Sequence, residues 1–280
     1  MTQPVNPLQQ YFRQPALYIK LPSLGHFWPQ DSLVIPPNNE FPVLPMTALD
    51  EISYRTPDAL FNGSAVVNVI QSCLPNIKNA WNMPSIDLNT VLGAIRIASY
   101  GSEMELKTKC PNCEAVNEYT VDLHGVLEQI APTDFSQSMS LGDIEIFFRP
   151  ISYKDQNTIN LMQFEQQKIL QQLPNGEMPE DERAAMFDKT LKEIARITTL
   201  AVTFSIASIR TPQALVSEPA FIEEFLKNCG GEQFKRIRDH VINLRGKEEI
   251  KPIPIDCPEC THHYEQAFVL DTALFFDNAS

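Results

Sequence analysis

The sequence predicts an α+β chain: an extended N-terminal arm followed by helices, two short β-hairpins far apart in the chain, and a mostly helical unit inserted between them. Three observations carry this prediction. Nine of the 22 prolines fall between Pro4 and Pro45. The apolar period switches from helical to two just after Gly101. The same cysteine pair, Cys-Pro-x-Cys, occupies 110–113 and 257–260, each time between runs of alternating apolar residues.

The arm covers 1–45. Each proline fixes its own φ and pushes its predecessor out of the helical region, so this segment is expected to be extended. It is no polar linker, because Tyr11, Phe12, Leu17, Tyr18, Ile19, Leu21, Phe27, Trp28, Leu33, Val34 and Ile35 need a dry surface, on this protein or on a neighbour. Within it, Leu21-Pro22-Ser23-Leu24-Gly25-His26-Phe27-Trp28-Pro29 is expected to turn between two short strands. A helical region follows over 46–101. Thr47 is a plausible cap for a first helix with Leu49, Ile52 and Ser53 on one side, ending before Pro57, and a second short helix follows Gly63. The clearest helix runs from Ser85 to about Tyr100, with Leu88, Val91, Leu92, Ile95 and Ala98 on one face and Gly101 just past its end.

Period-two alternation then takes over in Met104, Leu106 and Thr108, and again in Tyr119, Val121 and Leu123, around Cys110-Pro111-Asn112-Cys113. The arrangement recurs where Ile253 and Ile255 lead into Cys257-Pro258-Glu259-Cys260 and Tyr264, Phe268 and Leu270 lead out. We therefore assign 102–125 and 250–280 to one split unit, with 126–249 inserted into it. The insert opens with a strand candidate, Ile144, Ile146 and Phe148, and continues with four helices. The first covers about 153–173. Asn175-Gly176 connects it to the second, which starts after Pro179 with an acidic turn and carries Phe187, Leu191, Ile194 and Ala195 on one face. The charge-free stretch 197–209 is expected to continue that helix, buried in protein or in an interface. Phe221, Phe225 and Leu226 mark the third helix, and Phe234, Ile237, Val241 and Leu244 the fourth, parted by Gly230-Gly231.

With 280 residues, 43% hydrophobic and 20% charged, the chain is expected to be a soluble globular protein. No window reaches the roughly 18 to 20 apolar residues of a membrane span. Residues 1–10 carry no Lys or Arg and no apolar segment typical of a signal follows, so maturation in a reducing cytoplasm is expected. The Asn-x-Ser matches at Asn62 and Asn278 carry no weight in that compartment, and six cysteines there point to metal binding or burial rather than disulfides.

Two knuckles of this kind can direct four sulfurs at one centre and complete the tetrahedron that Zn²⁺ accepts. The candidate ligands are Cys110, Cys113, Cys257 and Cys260. Four thiolates leave no coordination position for water, so the zinc would be structural rather than catalytic. The departures from an ordinary ribbon are the long insertion, and Glu114 and Thr261 where a glycine commonly follows the second cysteine. His262 and His263 could substitute for one sulfur. Cys73 and Cys229 fit small core residues, and His26, His124 and His240 stand isolated. There is no phosphate-binding loop, no G-x-S-x-G and no H-E-x-x-H, which leaves no recognisable enzyme chemistry.

Zinc ribbons often bind nucleic acid, and this is the alternative function. Charge weighs against it. The chain carries 22 Lys and Arg against 35 Asp and Glu, a formal net charge of −13. Lys107 and Lys109 beside the first knuckle are outnumbered by Glu103, Glu105, Glu114 and Glu118, and Asp256, Glu259 and Glu265 surround the second. Lys235, Arg236 and Arg238 are interleaved with Glu232 and Asp239, as on a solvated helix face.

Several segments together resemble the baseplate hub proteins of T-even-like contractile-tailed bacteriophages. They are Leu21-Pro22-Ser23 with Gly25, Leu44-Pro45-Met46-Thr47-Ala48 with Asp50-Glu51, and Arg55-Thr56-Pro57-Asp58-Ala59-Leu60 with Asn62-Gly63. Ile70-Gln71-Ser72-Cys73, Pro84-Ser85-Ile86-Asp87 and Ala94-Ile95-Arg96-Ile97-Ala98 continue the likeness to the first knuckle. The likeness is strongest over about the first 125 residues and looser beyond. It implies a non-enzymatic protein of tail assembly, which builds or joins the hub from which tube and sheath grow. Its partners would be other phage tail and baseplate proteins, with no nucleic acid and no membrane span. It would be found in the host cytoplasm during assembly, and in the virion tail if it is a permanent component rather than a transient assembly factor. Segments 11–35 and 197–209 are the expected partner contacts.

Overall fold

The structure, a computed structural model, describes residues 6–54, 63–130, 133–172, 179–268 and 270. The Arg55-to-Leu60 motif with Asn62, the Asn175-Gly176 connection and Asn278 lie outside them. The fold is mixed helix and sheet, as predicted. Two buried clusters organise it, one built mainly by the N-terminal part and one by the segment between the hairpins.

In the first cluster the arm lies along its own protein. Strand β1 (Leu17–Ile19) pairs antiparallel with β2 (Phe41–Val43), in the register Ile19↔Phe41. Ile19, Leu21, Phe41 and Val43 are buried there. The second strand is therefore not the one expected just after Pro29. Pro36 and Pro37 cannot donate to a ladder, and in that stretch Leu33 makes only an isolated bridge with Ile77. Arg13 pins the arm: its guanidinium donates to the carbonyls of Pro45 (2.7 Å) and Ser72 (2.8 Å) and to the Ser72 hydroxyl (2.8 Å).

Helix α1 (Ala48–Tyr54) starts as expected. The Asp50 N–H donates to Thr47 Oγ1 and the Thr47 N–H returns a bond to Asp50 Oδ2 (2.8 Å), a reciprocal cap. Its expected apolar side is turned outward: Leu49 and Ile52 are exposed and Tyr54 is the buried residue. Helix α2 (Ser64–Cys73) is the most apolar, with Val66, Val67, Val69, Ile70 and Cys73 all buried. It begins at Gly63, whose φ of +77° favours glycine, and any side chain there would also meet Asn157 Oδ1 at 2.7 Å. Helix α3 (Ser85–Tyr100) has the predicted limits and ends at Gly101. Its buried Val91, Ala94 and Ile95 centre the first core, each large side chain contributing about 1.5–3 kcal/mol.

The first hairpin is β3 (Glu103–Lys109) with β4 (Val116–Asp122), in the register Met104↔Val121, Leu106↔Tyr119 and Thr108↔Asn117. Met104 and Val121 face the core, and the short helix α4 (Leu123–Glu128) adds Leu123 and Val126. The second hairpin is β9 (Ile253–Asp256) with β10 (His263–Gln266). Beyond it Phe268 and Leu270 return to the first core, which ties this late segment to the N-terminal part.

The segment between the two hairpins differs from expectation in one large respect: it contains a four-stranded sheet. Strands β5 (Met139–Leu141), β6 (Ile144–Phe148), β7 (Ile206–Arg210) and β8 (Leu215–Val216) are adjacent in that order and antiparallel. Helices α5 (Tyr153–Gln172) and α6 (Glu180–Phe204) pack along each other. Helices α7 (Pro219–Asn228) and α8 (Gly231–Gly246) complete the second core with Ile222, Leu226, Ile237, Val241 and Leu244.

The charge-free stretch 197–209 is thus not one helix. The helix stops at Phe204, and Ile206 and Ile209 enter β7 opposite Phe148 and Ile146. β-Branched side chains suit a half-buried pleat, and the β6 partner supplies the backbone hydrogen bonds that a longer helix would have made. Ile197, Val202, Ile206 and Ile209 are buried within this chain, while Leu200 and Phe204 are half-buried. The expected face of α6 is also corrected. Phe187, Leu191 and Ile194 are exposed, while Thr190 and Ile197 turn inward. In α7 it is Ile222 and Leu226, not Phe221, that are buried.

Candidate metal centre

Both cysteine pairs sit in tight turns at hairpin tips, and the two turns are built alike. The Cys110 N–H donates to the Ala115 carbonyl (2.9 Å) and the Glu114 N–H to the Cys110 carbonyl (3.0 Å). In the second turn the Cys257 N–H donates to the His262 carbonyl (3.0 Å) and the Thr261 N–H to the Cys257 carbonyl (2.8 Å). Glu114 and Thr261, which replace the expected glycine, adopt φ of +61° and +57°. The left-handed conformation is thus kept in both knuckles despite the side chains.

The two tips meet. Cys110 Sγ lies 3.7 Å from Cys260 Sγ, and Cys113 Sγ lies 3.6 Å from Cys257 Sγ, although each pair is about 150 positions apart. All four sulfurs fall within 4.8 Å of one another. A tetrahedron with metal–sulfur bonds of about 2.3 Å has edges of about 3.8 Å. The donor set therefore fits a single soft or borderline cation, and the four cysteines can bind a metal. His262 and His263 point to other partners: His262 stacks on Tyr264, and His263 Nδ1 lies 2.9 Å from Asp256 Oδ1.

The electrostatics ask for a cation. The Asn112 amide and the His262 backbone N–H pull the Cys260 thiol down to about 6. The Ala115 backbone N–H acts in the same direction on Cys113, yet the neighbouring sulfurs of Cys260, Cys257 and Cys110 leave that thiol pushed up to about 12. Sulfurs this close resist ionising together, and a metal dication removes the obstacle.

Polar contacts close the two hairpins around the cluster. Thr108 Oγ1 donates to Gln266 Oε1 (2.5 Å) and the Tyr119 hydroxyl to the Asp256 carbonyl (3.3 Å). Asn112 Nδ2 and Asn117 Nδ2 donate to Cys260 Sγ and Cys257 Sγ, both at 3.5 Å. Sequence reasoning missed these asparagines, although Asn112 lies inside the first knuckle. The lysines beside that knuckle are engaged by carboxylates, Lys107 with Glu118 (2.8 Å) and Lys109 with Glu114 (3.0 Å).

The other two cysteines stay apart from the cluster. Burial pushes the Cys73 thiol up to about 12, with nearby Asp50 adding to the effect, and burial also raises Cys229. Cys73 is buried in the first core, whereas Cys229 is half-buried. His240 lies against the Phe148 ring at 4.6 Å, and burial lowers its pKa. No helix among the described residues is long and apolar enough to cross a membrane.

A family model described as T4 bacteriophage base plate protein matches residues 46–277. The match includes both knuckles and the whole inserted segment, and it begins after the arm. No curated protein and no solved structure matches the chain.

Proposed function

The chain belongs to the T4 bacteriophage base plate protein family, and from that premise we propose that it is a non-catalytic structural or assembly component of the baseplate hub of a contractile tail. The observation that carries this is the family match over 46–277. In the same reading Cys110, Cys113, Cys257 and Cys260 hold one structural Zn²⁺. The sulfur spacing and the absence of an oxygen donor in the cluster support zinc. The metal closes a ribbon formed by 102–125 and 250–280, with 126–249 as an inserted unit, 46–101 as a helical region and 1–45 as an arm. Metal binding then contributes directly to folding, because it joins segments that the chain separates widely.

The arm supplies contacts to other tail proteins in this reading. Arg13 anchors it, while Tyr11 is 77% exposed and Tyr18 60% exposed beside it. The alternative, a nucleic-acid-binding ribbon, has little to support it, because Glu118 and Glu114 already engage the lysines by the first knuckle. The protein acts in the host cytoplasm during assembly and in the virion tail.

Native mass spectrometry of the purified protein tests the proposal. One zinc per chain together with co-purifying tail proteins is the expected result. A metal-free folded chain would remove the ribbon, and salt-sensitive binding to DNA or RNA would favour the alternative.

A further inference from the structure

Among the described residues, the side-chain amides that reach the sulfur cluster come from the first hairpin, and both act on sulfurs of the second. Asn112 Nδ2 donates to Cys260 Sγ and Asn117 Nδ2 to Cys257 Sγ, at 3.5 Å each. The backbone donors behave differently, because each knuckle serves its own cysteines. The Ala115 N–H acts on Cys113, those of Glu259 and Cys260 on Cys257, and that of His262 on Cys260. The asparagines are thus cross-braces between two halves of the site.

Their chemistry suits this place. Four thiolates around a dication leave a net charge of −2, within a chain that already carries −13. The adjacent lysines are occupied by glutamates. A neutral carboxamide N–H draws electron density from a thiolate without bringing a counter-ion of its own. Asn117 is also placed by the ladder: it pairs with Thr108, whose hydroxyl donates to Gln266 of the second hairpin. One face of the first hairpin therefore makes both contacts.

We propose that Asn112 and Asn117 are positioning residues of the metal centre, which hold the second knuckle's thiolates against the first so that metal retention depends on closure of the two hairpins. The inference rests on the reading of the four cysteines as one metal site. Outer-shell partners of metal ligands commonly change affinity on the order of 10- to 100-fold when removed.

The test uses the full-length chain loaded with Co²⁺ in place of zinc. Wild type, Asn112→Ala, Asn117→Ala and the double variant are compared. Three quantities are read: cobalt per chain, the energy of the thiolate-to-cobalt charge-transfer band, and the rate of metal release to excess chelator. The double variant should keep one cobalt per chain, with its band moved to lower energy and release faster by roughly tenfold. An unchanged band and release rate at full occupancy would overturn the role of the asparagines while leaving the metal site intact. A wild-type chain that binds no cobalt would overturn both. Asn112 is exposed at the knuckle tip, so Asn112→Ala preserves folding and decides its half of the proposal if the double variant does not fold.

Discussion

The Ser23 hydroxyl donates to the Asp87 carboxylate at 2.6 Å, joining the arm to the first turn of α3 across 64 positions of sequence. The Ser23 N–H and the Trp28 indole N–H donate to the same carboxylate, both at 2.8 Å. Asp87 is fully buried. Burial raises its carboxyl pKa, against the opposing effect of the Ser23 and Trp28 hydrogen bonds.

Asp87→Ala leaves three donors without their acceptor and should lower unfolding stability by about 3 kcal/mol. Trp28→Phe removes one donor only, and its expected loss is about 1 kcal/mol. Denaturant unfolding of both variants measures the difference. Equal losses would show that Asp87 does not act as the common acceptor.

If the knuckles share one ion, Cys110→Ser and Cys257→Ser should lose metal and thermal stability to a similar degree, although they lie in opposite parts of the chain. Elemental analysis with thermal unfolding provides the comparison. A metal content unchanged by either substitution would exclude the shared site.

Glu114 and Thr261 occupy left-handed backbone without being glycine. Replacing each by glycine should raise stability by about 0.5–1 kcal/mol, more for Thr261 because a β-branched side chain tolerates positive φ least. The exposed Lys109–Glu114 pair given up at one site is worth little. Chemical denaturation of the metal-loaded variants checks the sign, and a loss at both positions would mean that the side chains support the turns.

Glu248 sits where α3 meets the segment after α8. It accepts a hydrogen bond from Ser85 Oγ (2.7 Å), and its other carboxylate oxygen is buried with no hydrogen-bond partner among the described residues. Burial lifts its pKa from 4.5 to about 7, with Ser85 and Arg245 opposing and Asp87 and Glu249 assisting. The folded chain therefore holds this proton more tightly than the unfolded chain. The contribution is fully present below about pH 4.5 and is lost as pH rises through 7. Glu248→Gln should remove this dependence, so its thermal stability relative to wild type should rise between pH 5 and pH 8. A difference that stays constant across that range would rule the titration out.

Much of the local structure was legible beforehand. The limits of α3 follow from its apolar face and from Gly101, and the hairpins from alternation around paired cysteines. Thr47 capping α1 was legible for the same reason, since a cap and its partner lie three residues apart. Failures came where partners are distant. Leu49, Ile52, Phe187 and Leu191 form apolar stripes that periodicity reads as core, yet all four are exposed. Periodicity tells which residues share a face, not which way the face points.

By itself the sequence determined the α+β class, two matched cysteine knuckles, and a family likeness that the model over 46–277 bears out. These are encoded in spacing along the chain, within a few residues of one another. Only the tertiary structure decided that sulfurs about 150 positions apart meet within 4 Å. It also decided that the stretch 197–209 divides into helix and strand, and that Ser23 reaches Asp87. Each of these outcomes depends on a partner brought by folding. β6 completes the hydrogen bonds of β7, the second hairpin completes the sulfur cluster, and Asp87 accepts the arm's donors.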